Sequence, residues 1–269
     1  MKVMTYNIKT GGRDGDGRSR LDEIIAVIDD QRPDVLALQE LRGFGRRGLL
    51  DRFARALGMT PYLARSWVGQ SVAVLLRPPG EALSAGPIRG PFLHAAARVV
   101  VDTDRGPLVV VGTHLDPFRG RRRLREARWI AARLRRDRMA LLMGDLNSLD
   151  PWTDHAERIE RLSARYRSRH MLPGPTDTVD TRAVAELERA GLVDLFRHAP
   201  GGGREHTAPT TEGGGHEFSG MRLDYILGTP AVAKLARACR VVEGGAAERA
   251  SDHYPVVAEL DLSFRPGRR

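Results

Sequence analysis

Two polar residues, Asp145 and Asn147, directly follow an apolar run and are the first candidates for chemistry. Residues 141–143 are large and apolar, which predicts a buried strand, and Gly144 ends that strand at a tight turn. The Asp145 carboxylate can hold a cation or orient a water, and the Asn147 carboxamide can donate hydrogen bonds to an anionic oxygen. Gly, Asp and Asn also favour turns for local hydrogen-bonding reasons, so a simple turn is the alternative. The ends of other strands decide between the two interpretations.

More polar residues stand at the ends of other predicted strands, namely Asn7, Glu40, His114, Asp224 and the pair Asp252–His253. Carboxylate and amide oxygens suit a hard divalent cation such as Mg²⁺. A histidine beside a carboxylate is typical of a general base, and Asp224 can orient His253 to deprotonate a water. Asn147 and His114 can bind phosphate oxygens while the magnesium neutralises the charge of the transition state. No closely spaced His/Cys group indicates a structural zinc site.

The elements that must position these residues are strands and helices of an α/β fold. Apolar runs predict strands over residues 2–8, 34–40, 70–76, 98–102, 108–113, 141–143, 221–227 and 240–242. Helical spacing predicts helices over residues 19–30, 49–57, 121–138 and 183–190. The helix over 121–138 is strongly basic, and we expect its arginines to lie on a solvated outer face. We expect loops with a short helix over 151–175, a mobile loop over 200–215, and one domain over residues 1–269.

Composition limits the class of protein and its partners. Of 269 residues, 41% are hydrophobic and 29% are charged, with no apolar run of about 18 residues that would predict a membrane span. The net charge is +9, and Lys2, Lys9 and Lys234 are the only lysines. Arginine matches phosphate bidentately, which favours a nucleic-acid or other polyanionic partner, while a GC-rich genome is the alternative explanation. The single Cys239 and the lack of a signal peptide predict a cytoplasmic protein.

Six motifs together resemble, in chain order, the signatures of the endonuclease/exonuclease/phosphatase superfamily, the deoxyribonuclease-I-like group. They are Thr5-Tyr6-Asn7-Ile8, Gln39-Glu40, Thr113-His114-Leu115, Gly144-Asp145-Leu146-Asn147, Arg222-Leu223-Asp224-Tyr225-Ile226 and Ser251-Asp252-His253. The resemblance implies a four-layer α/β sandwich, in which two mostly antiparallel sheets pack face to face with helices outside. It also implies Mg²⁺- or Mn²⁺-dependent cleavage of a phosphoester by an activated water, without a covalent intermediate.

The resemblance also implies a role for each motif residue. Glu40 is the principal metal ligand, with Asn7 and Asp252 near the metal. Asp145 positions the metal or the attacking water, and Asn147 contacts the scissile phosphate. The pair Asp224–His253 supplies the base, while His114 contacts the phosphate or assists the leaving group. Arg42, two residues past Glu40, stands where some members place a phosphate-contacting arginine.

The substrate is less specified than the chemistry. Abasic-site endonucleases usually carry an acidic residue at the position of Lys9 and a tyrosine at that of His114, which argues against abasic-site repair. The basic charge favours a nuclease acting on DNA, with no obligate protein partner. The alternative is a phosphoesterase of a small metabolite or lipid head group, whose pocket Trp67, Trp152 or Phe218 would line. A catalytically idle nucleic-acid-binding member is a minor alternative, which the retained motif residues disfavour.

Overall fold

The computed structural model describes residues 1–46, 48–134, 138–175 and 177–265. Its strands are β1 (Lys2–Asn7), β2 (Val35–Gln39), β3 (Thr60–Ala64), β4 (Val72–Leu76), β5 (Ala82–Pro87), β6 (Ala95–Val101), β7 (Leu108–His114), β8 (Met139–Asp145), β9 (Val193–Asp194), β10 (Asp224–Gly228), β11 (Ala236–Val241) and β12 (Val256–Leu260). Its helices are α1 (Lys9–Gly12), α2 (Leu21–Gln31), α3 (Leu49–Ala56), α4 (Gly120–Ala131), α5 (Ala156–Glu160), α6 (Ala164–Arg167), α7 (Arg182–Arg189), α8 (Leu195–His198), α9 (Pro230–Ala233) and α10 (Ala247–Ala250).

The strands form two six-stranded sheets. Sheet I has the order β11-β12-β1-β2-β4-β3, and sheet II has the order β5-β6-β7-β8-β10-β9. The described strands of each sheet contain one parallel pair, β1–β2 in sheet I and β7–β8 in sheet II, and the remaining neighbours are antiparallel. The predicted pair of mostly antiparallel sheets is therefore confirmed.

The sheets pack face to face over a shared apolar core, with helices on their outer faces. Sheet I contributes Val3, Ala37 and Val74 to this core, and sheet II contributes Val110 and Met143. Burying such aliphatic side chains is the main favourable term in folding, at about 25 cal/mol per Å² of apolar surface. Helix α2 packs on the outside of sheet I, and α4 and α7 pack on the outside of sheet II. The four layers follow from strands that are apolar on both faces and helices that are apolar on one.

Several predicted elements are corrected by the structure. The predicted strand over 221–227 begins at Asp224 because residues 207, 208 and 221 form a local bridge instead. The predicted helix over 121–138 ends at Ala131, and residues 135–137 lie outside the described part of the chain. Edge strands β3 and β5 are not predicted, because their residues are mixed in polarity and mostly outside the core. The segment 151–175 holds two short helices rather than one.

The basic helix α4 does not expose all of its arginines. Arg123 is 1% exposed, and its guanidinium donates to the carbonyl oxygens of Asp116 and Arg169 at 3.0 and 2.8 Å. The prediction of a fully solvated arginine face is therefore wrong at this position. A guanidinium has five donors in a fixed fork, and here it joins two loops that approach each other only in the folded chain.

The parallel pairs place polar strand ends at the same edge of the two sheets. In sheet I, Asn7 lies opposite Gln39, so Glu40 follows directly at that end. In sheet II, His114 lies opposite Asp145. No helix in the described ranges is both long and apolar enough to cross a bilayer.

Candidate active site

Asn7 links a carboxylate of sheet I to a carboxylate of sheet II. Its side-chain nitrogen Nδ2 donates to Glu40 Oε1 at 3.1 Å and to Asp145 Oδ2 at 3.0 Å. Its Oδ1 accepts the backbone N–H of Lys9 at 3.0 Å, which holds the amide in this orientation. The two acids therefore converge on one carboxamide, although they lie far apart in the sequence.

Glu40 is fixed by its backbone and by two further donors. Its φ of +60° lies in the left-handed region, which is unfavourable for a residue with a Cβ. The carboxylate Oε2 accepts Thr10 N at 2.8 Å and Gln70 Nε2 at 3.1 Å. Strained backbone persists where the surrounding structure determines it, and it is concentrated at functional sites. The conformation aims the Glu40 carboxylate at Asn7 instead of continuing the strand.

The end of β8 is shaped by Gly144 inside the strand and by Asn147 just after it. The prediction that Gly144 ends the strand is wrong, because Gly144 pairs with Thr113 and Tyr225 and the strand continues to Asp145. Gly144 has a φ of +148°, and a Cβ there would collide with the carbonyl oxygen of Thr113 on the neighbouring strand, so only glycine fits. Asn147 has a φ of +48°, its backbone N–H donates to Asp145 Oδ1 at 2.8 Å, and its Nδ2 donates to Leu115 O at 3.2 Å. A local turn follows at Asn147 rather than at Gly144, and its hydrogen bond to Asp145 orients both side chains.

Asp224 and His253 form a buried hydrogen-bonded pair. Asp224 Oδ2 lies 2.7 Å from His253 Nδ1, which leaves Nε2 facing Asp145 Oδ2 at 3.9 Å. The hydroxyl of Ser251 accepts His253 N at 3.3 Å and donates to Asn7 O at 2.7 Å, tying this segment to β1. The ring of Phe218 packs edge-on against His253, with centroids 5.0 Å apart. The imidazole therefore has one nitrogen held and one available.

Burial and neighbouring charge shift the pKa values of this network strongly. Burial raises the pKa of Asp145 to about 7, with the Asp224 carboxylate adding to the rise and His253 opposing it. Burial by itself would lower the pKa of His253. The charge and hydrogen bond of Asp224, and then the charges of Asp145 and Asp252, more than offset this and raise it well above 6.5. Such shifts are typical of sites that move protons, and also of buried ion pairs.

The oxygen-rich donor set fits a divalent cation. Single ligand atoms of Asp145, Asp224 and His253 lie within 4.8 Å of one another, but His253 Nδ1 is already engaged by Asp224, so this trio suits proton transfer better than metal ligation. The carboxylates of Glu40 and Asp145 share the Asn7 amide, and beside them Gln70 Oε1 is buried without a hydrogen-bond partner among the described residues. Carboxylate and amide oxygens are the ligands that Mg²⁺ prefers.

Asp252 and Lys9 form an ion pair next to this site. Lys9 Nζ lies 3.5 Å from Asp252 Oδ2 and donates to Gly213 O at 2.7 Å. Burial raises the pKa of Asp252, while the charges of His253 and Lys9 oppose the rise. The side chain predicted to lie near the metal thus already has one cationic neighbour.

A cavity of about 520 Å³ opens over these residues. Six predicted site residues line it, namely Glu40, Arg42, His114, Asp145, Asn147 and His253. Asn7 and Asp224 lie behind them and are hydrogen-bonded to Asp145 and His253, while Asp252 precedes His253 in the chain. All of the predicted site residues are therefore brought to one region of the fold.

The aromatic residues proposed for a small-molecule pocket behave differently from one another. Phe218 lines the cavity as expected. Trp67 is 99% exposed, and Trp152 packs its ring against the guanidinium of Arg197, 4.0 Å from the ring centroid. Of the three, only Phe218 is placed by the structure as predicted.

Several residues that line the cavity are not predicted from the sequence as members of the site, namely His94, Phe118, Arg119, Arg122 and Arg169. His94 stacks on His114 with ring centroids 4.3 Å apart and planes 20° apart. Arg169 lies over the Phe118 ring at 5.2 Å from its centroid. Arg122 belongs to the predicted basic helix over 121–138 and Arg119 lies two residues before it, but nothing in the sequence separates them from the other arginines there. His94 stands in a loop before β6 and has no motif around it.

Two face-to-face mixed sheets, with carboxylates and histidines converging at one edge, define the deoxyribonuclease-I-like sandwich class. The family model described as the endonuclease/exonuclease/phosphatase family matches residues 4–253. The chain therefore belongs to the endonuclease/exonuclease/phosphatase family, whose members are divalent-metal-dependent hydrolases of phosphoester bonds. No curated protein sequence matches the chain.

Solved structures share this fold at low sequence identity. An AP endonuclease from Archaeoglobus fulgidus aligns with a TM-score of 0.71 and 21% identity, covering 97% of this chain and 99% of the other. A variant of the 3′ phosphatase NExo from Neisseria, bound to a product DNA hairpin, aligns with a TM-score of 0.67 and 19% identity. The alignment covers 97% of this chain and 99% of the other. A humanized D. rerio TDP2 aligns with a TM-score of 0.66 and 16% identity, and the alignment covers 96% of this chain and 97% of the other. The predicted fold and family are thus confirmed.

Proposed function

We propose that this protein is a Mg²⁺-dependent phosphodiester hydrolase that cleaves DNA by direct attack of an activated water. The observation that carries the proposal is the continuous polar network at the base of the cavity. It runs from Glu40 through Asn7 to Asp145, and across a 3.9 Å gap to His253 and Asp224. It combines a cation-binding end with a proton-accepting end, which are the two requirements of metal-assisted hydrolysis.

Each residue has a distinct part in this mechanism. Glu40 holds the cation, with Asn7 and Asp252 near it, and Mn²⁺ can replace Mg²⁺. The bound ion supplies Lewis-acid stabilisation of the charge that develops on the phosphate. Neutral His253 accepts the proton of the attacking water through Nε2, and Asp224 stabilises the imidazolium that results.

Asp145 has a geometry suited to orienting the water. The 3.9 Å between Asp145 Oδ2 and His253 Nε2 is too long for a direct hydrogen bond, but a water can bond to both atoms. Asn147, His114 and Arg42 contact the substrate phosphate from the cavity wall. His114 lies 3.4 Å from Asp145 through Nε2, so it is also near enough to assist the leaving group.

Four arginines on the cavity wall favour nucleic acid as the substrate. Arg42, Arg119, Arg122 and Arg169 line the cavity, and Phe118 beside them is exposed. Arginine forks match phosphate oxygens on either side of a scissile bond, and an exposed ring offers a surface on which a base can stack. The structurally similar AP endonuclease and the 3′ phosphatase bound to a DNA hairpin agree with this choice.

A phosphoesterase of a small phosphorylated metabolite or lipid head group is the second candidate. The cavity volume of about 520 Å³ lies in the range of small-molecule sites, and Phe218 forms part of its wall. A substrate that fits entirely inside the cavity would not need the exposed side chains of Phe118 and Arg119.

A substrate panel distinguishes the two functions. Chelator-stripped enzyme is supplied with Mg²⁺ or Mn²⁺ and offered plasmid, abasic duplex, single-stranded DNA, nucleotides and inositol phosphates, with His253→Ala enzyme prepared in parallel as the control for contaminating activity. We expect the wild type to cleave DNA and the variant to be inactive. Hydrolysis of only the small phosphoesters would establish the second candidate. Failure of every divalent ion to restore any hydrolysis would contradict both.

A further inference from the structure

His94 is buried in the cavity wall with both ring nitrogens unsatisfied. It is 6% exposed, and neither Nδ1 nor Nε2 has a hydrogen-bond partner among the residues that the structure describes. Buried polar groups in folded proteins are nearly always hydrogen-bonded, because burial removes their hydrogen bonds to water and an unreplaced bond costs free energy. An imidazole in this state, beside a cavity, has hydrogen-bonding capacity left for a ligand.

The structure fixes the position of His94 through its neighbours. The carboxylate of Glu126, buried on α4, accepts Leu93 N through Oε1 and Asp116 N through Oε2, both at 2.7 Å. Thr113 Oγ1 donates to Ala95 O at 3.2 Å on the other side of the histidine. The loop before β6 is therefore tied to α4, to the loop after β7 and to β7 itself. These bonds hold the backbone on both sides of His94, so its Cα is fixed beside the cavity.

The stacked rings of His94 and His114 present two neutral imidazoles to the same space. Burial lowers the pKa of both to about 3, with each influenced by a neighbouring histidine, so neither repels the other near neutral pH. A neutral imidazole carries one N–H donor and one acceptor nitrogen. With planes only 20° apart, the two rings can direct donors to adjacent oxygens of one anion.

We propose that His94 is a further substrate-contacting residue, whose ring N–H is donated to a non-bridging oxygen of the substrate phosphate beside His114. This inference rests on the proposed phosphoester hydrolysis. It adds to the predicted phosphate-binding set a residue from the loop before β6, which supplies none of the other members. The competing explanation is that His94 only supports His114 by stacking.

The variant His94→Phe separates these explanations, because phenylalanine keeps a flat ring for stacking and removes both nitrogens. We expect kcat/KM to fall by about 10- to 100-fold, as for loss of a hydrogen bond to a charged group. Binding of inorganic phosphate, measured by calorimetry, is expected to weaken by at least several-fold. His94→Gln, which keeps a donor, is expected to retain more of both properties. His206→Phe, a half-buried histidine elsewhere, is the matched control and should resemble the wild type.

Wild-type values of kcat/KM and phosphate affinity in His94→Phe would overturn the proposal in favour of stacking alone. If that variant does not fold, His94→Ala assayed with added imidazole decides the question: restoration of phosphate binding supports the contact, and no restoration in a folded protein contradicts it. Failure of the proposed function is recognised separately, because the wild type itself would then hydrolyse no phosphoester.

Discussion

His253 Nδ1 and Asp224 Oδ2, 2.7 Å apart, join the two sheets of the sandwich at the base of the cavity. Asp224 begins β10 of sheet II, and His253 lies three residues before β12 of sheet I. Asn7 and Asp145 make a second connection of the same kind at 3.0 Å. Because the site is assembled from both sheets, its geometry depends on how the sheets pack. Its chemistry depends on the residues at their ends.

Substitution of His253 or Asp224, the proposed general base and its carboxylate partner, is expected to remove activity while leaving the fold intact. His253→Ala should lower kcat by about 10²–10⁴-fold, which is the usual contribution of a general base. Asp224→Asn keeps the shape of the side chain but removes the charge that stabilises the imidazolium, so it should also be strongly impaired. Steady-state kinetics with circular dichroism as the fold control test both variants. A loss of only a few-fold in His253→Ala would contradict the base assignment.

The pH dependence of the rate should report the raised pKa of His253. The base must be neutral, so kcat/KM is expected to rise with pH through a midpoint above 6.5. The Asp224→Asn variant should have its midpoint at lower pH, because the largest favourable influence on the imidazolium is gone. An unchanged midpoint in that variant would show that another group controls the profile.

The interaction of His253 with Asp224 should stabilise the fold more at low pH than at high pH, which is opposite to the expected rise of kcat/KM with pH. The folded-state pKa of His253 lies above its unfolded value, so the stabilisation is fully present below pH 6.5 and is lost as pH rises through the folded pKa. Urea unfolding of wild type and His253→Ala across this range, in chelator, measures the difference in free energy. That difference is expected to shrink with increasing pH.

Metal binding should depend on Glu40 and on the protonation of Asp145. Glu40→Gln is expected to weaken Mg²⁺ or Mn²⁺ binding by at least about tenfold, while Glu81→Gln, at an exposed glutamate on the protein surface, should have no effect. The pKa of Asp145 is raised to about 7, so binding near neutral pH should release protons. Calorimetry in buffers of different ionisation enthalpy measures both quantities. Equal affinity in the two variants would exclude Glu40 as the principal ligand.

The arginines that line the cavity should control DNA binding and its dependence on salt. Arg122→Ala should weaken binding and reduce the slope of log K against log salt by about one unit if that side chain contacts a phosphate. Arg128→Ala is a matched control on the same helix: both arginines pair with a carboxylate, Arg122 with Asp116 and Arg128 with Glu186, but of the two only Arg122 lines the cavity. Fluorescence anisotropy with inactive His253→Ala enzyme measures both slopes. A flat salt response of the parent protein would favour the small-phosphoester alternative.

The sequence by itself determined the identity of the motif residues and the class of the fold. Polar residues at the ends of apolar runs, such as Glu40 after β2 and Asp145 at the end of β8, are local signals that the sequence shows directly. Burial of both faces of these strands follows from their apolar composition. These local signals predicted an α/β fold and a group of candidate residues at strand ends, whereas the four-layer sandwich and the role of each residue were implied by the resemblance of the six motifs to the family.

Only the tertiary structure decided which atoms meet and which additional residues join them. The Asn7 bridge between two acids, the burial of Arg123 and the unsatisfied ring of His94 all depend on segments that are distant in sequence. The sequence does not distinguish the arginines of α4 from one another. In the structure, Arg122 lines the cavity, whereas Arg128 pairs with Glu186 on the outer face. Periodicity reports which face of one element is apolar, whereas contacts between elements arise from the packing of the whole chain, which no local pattern contains.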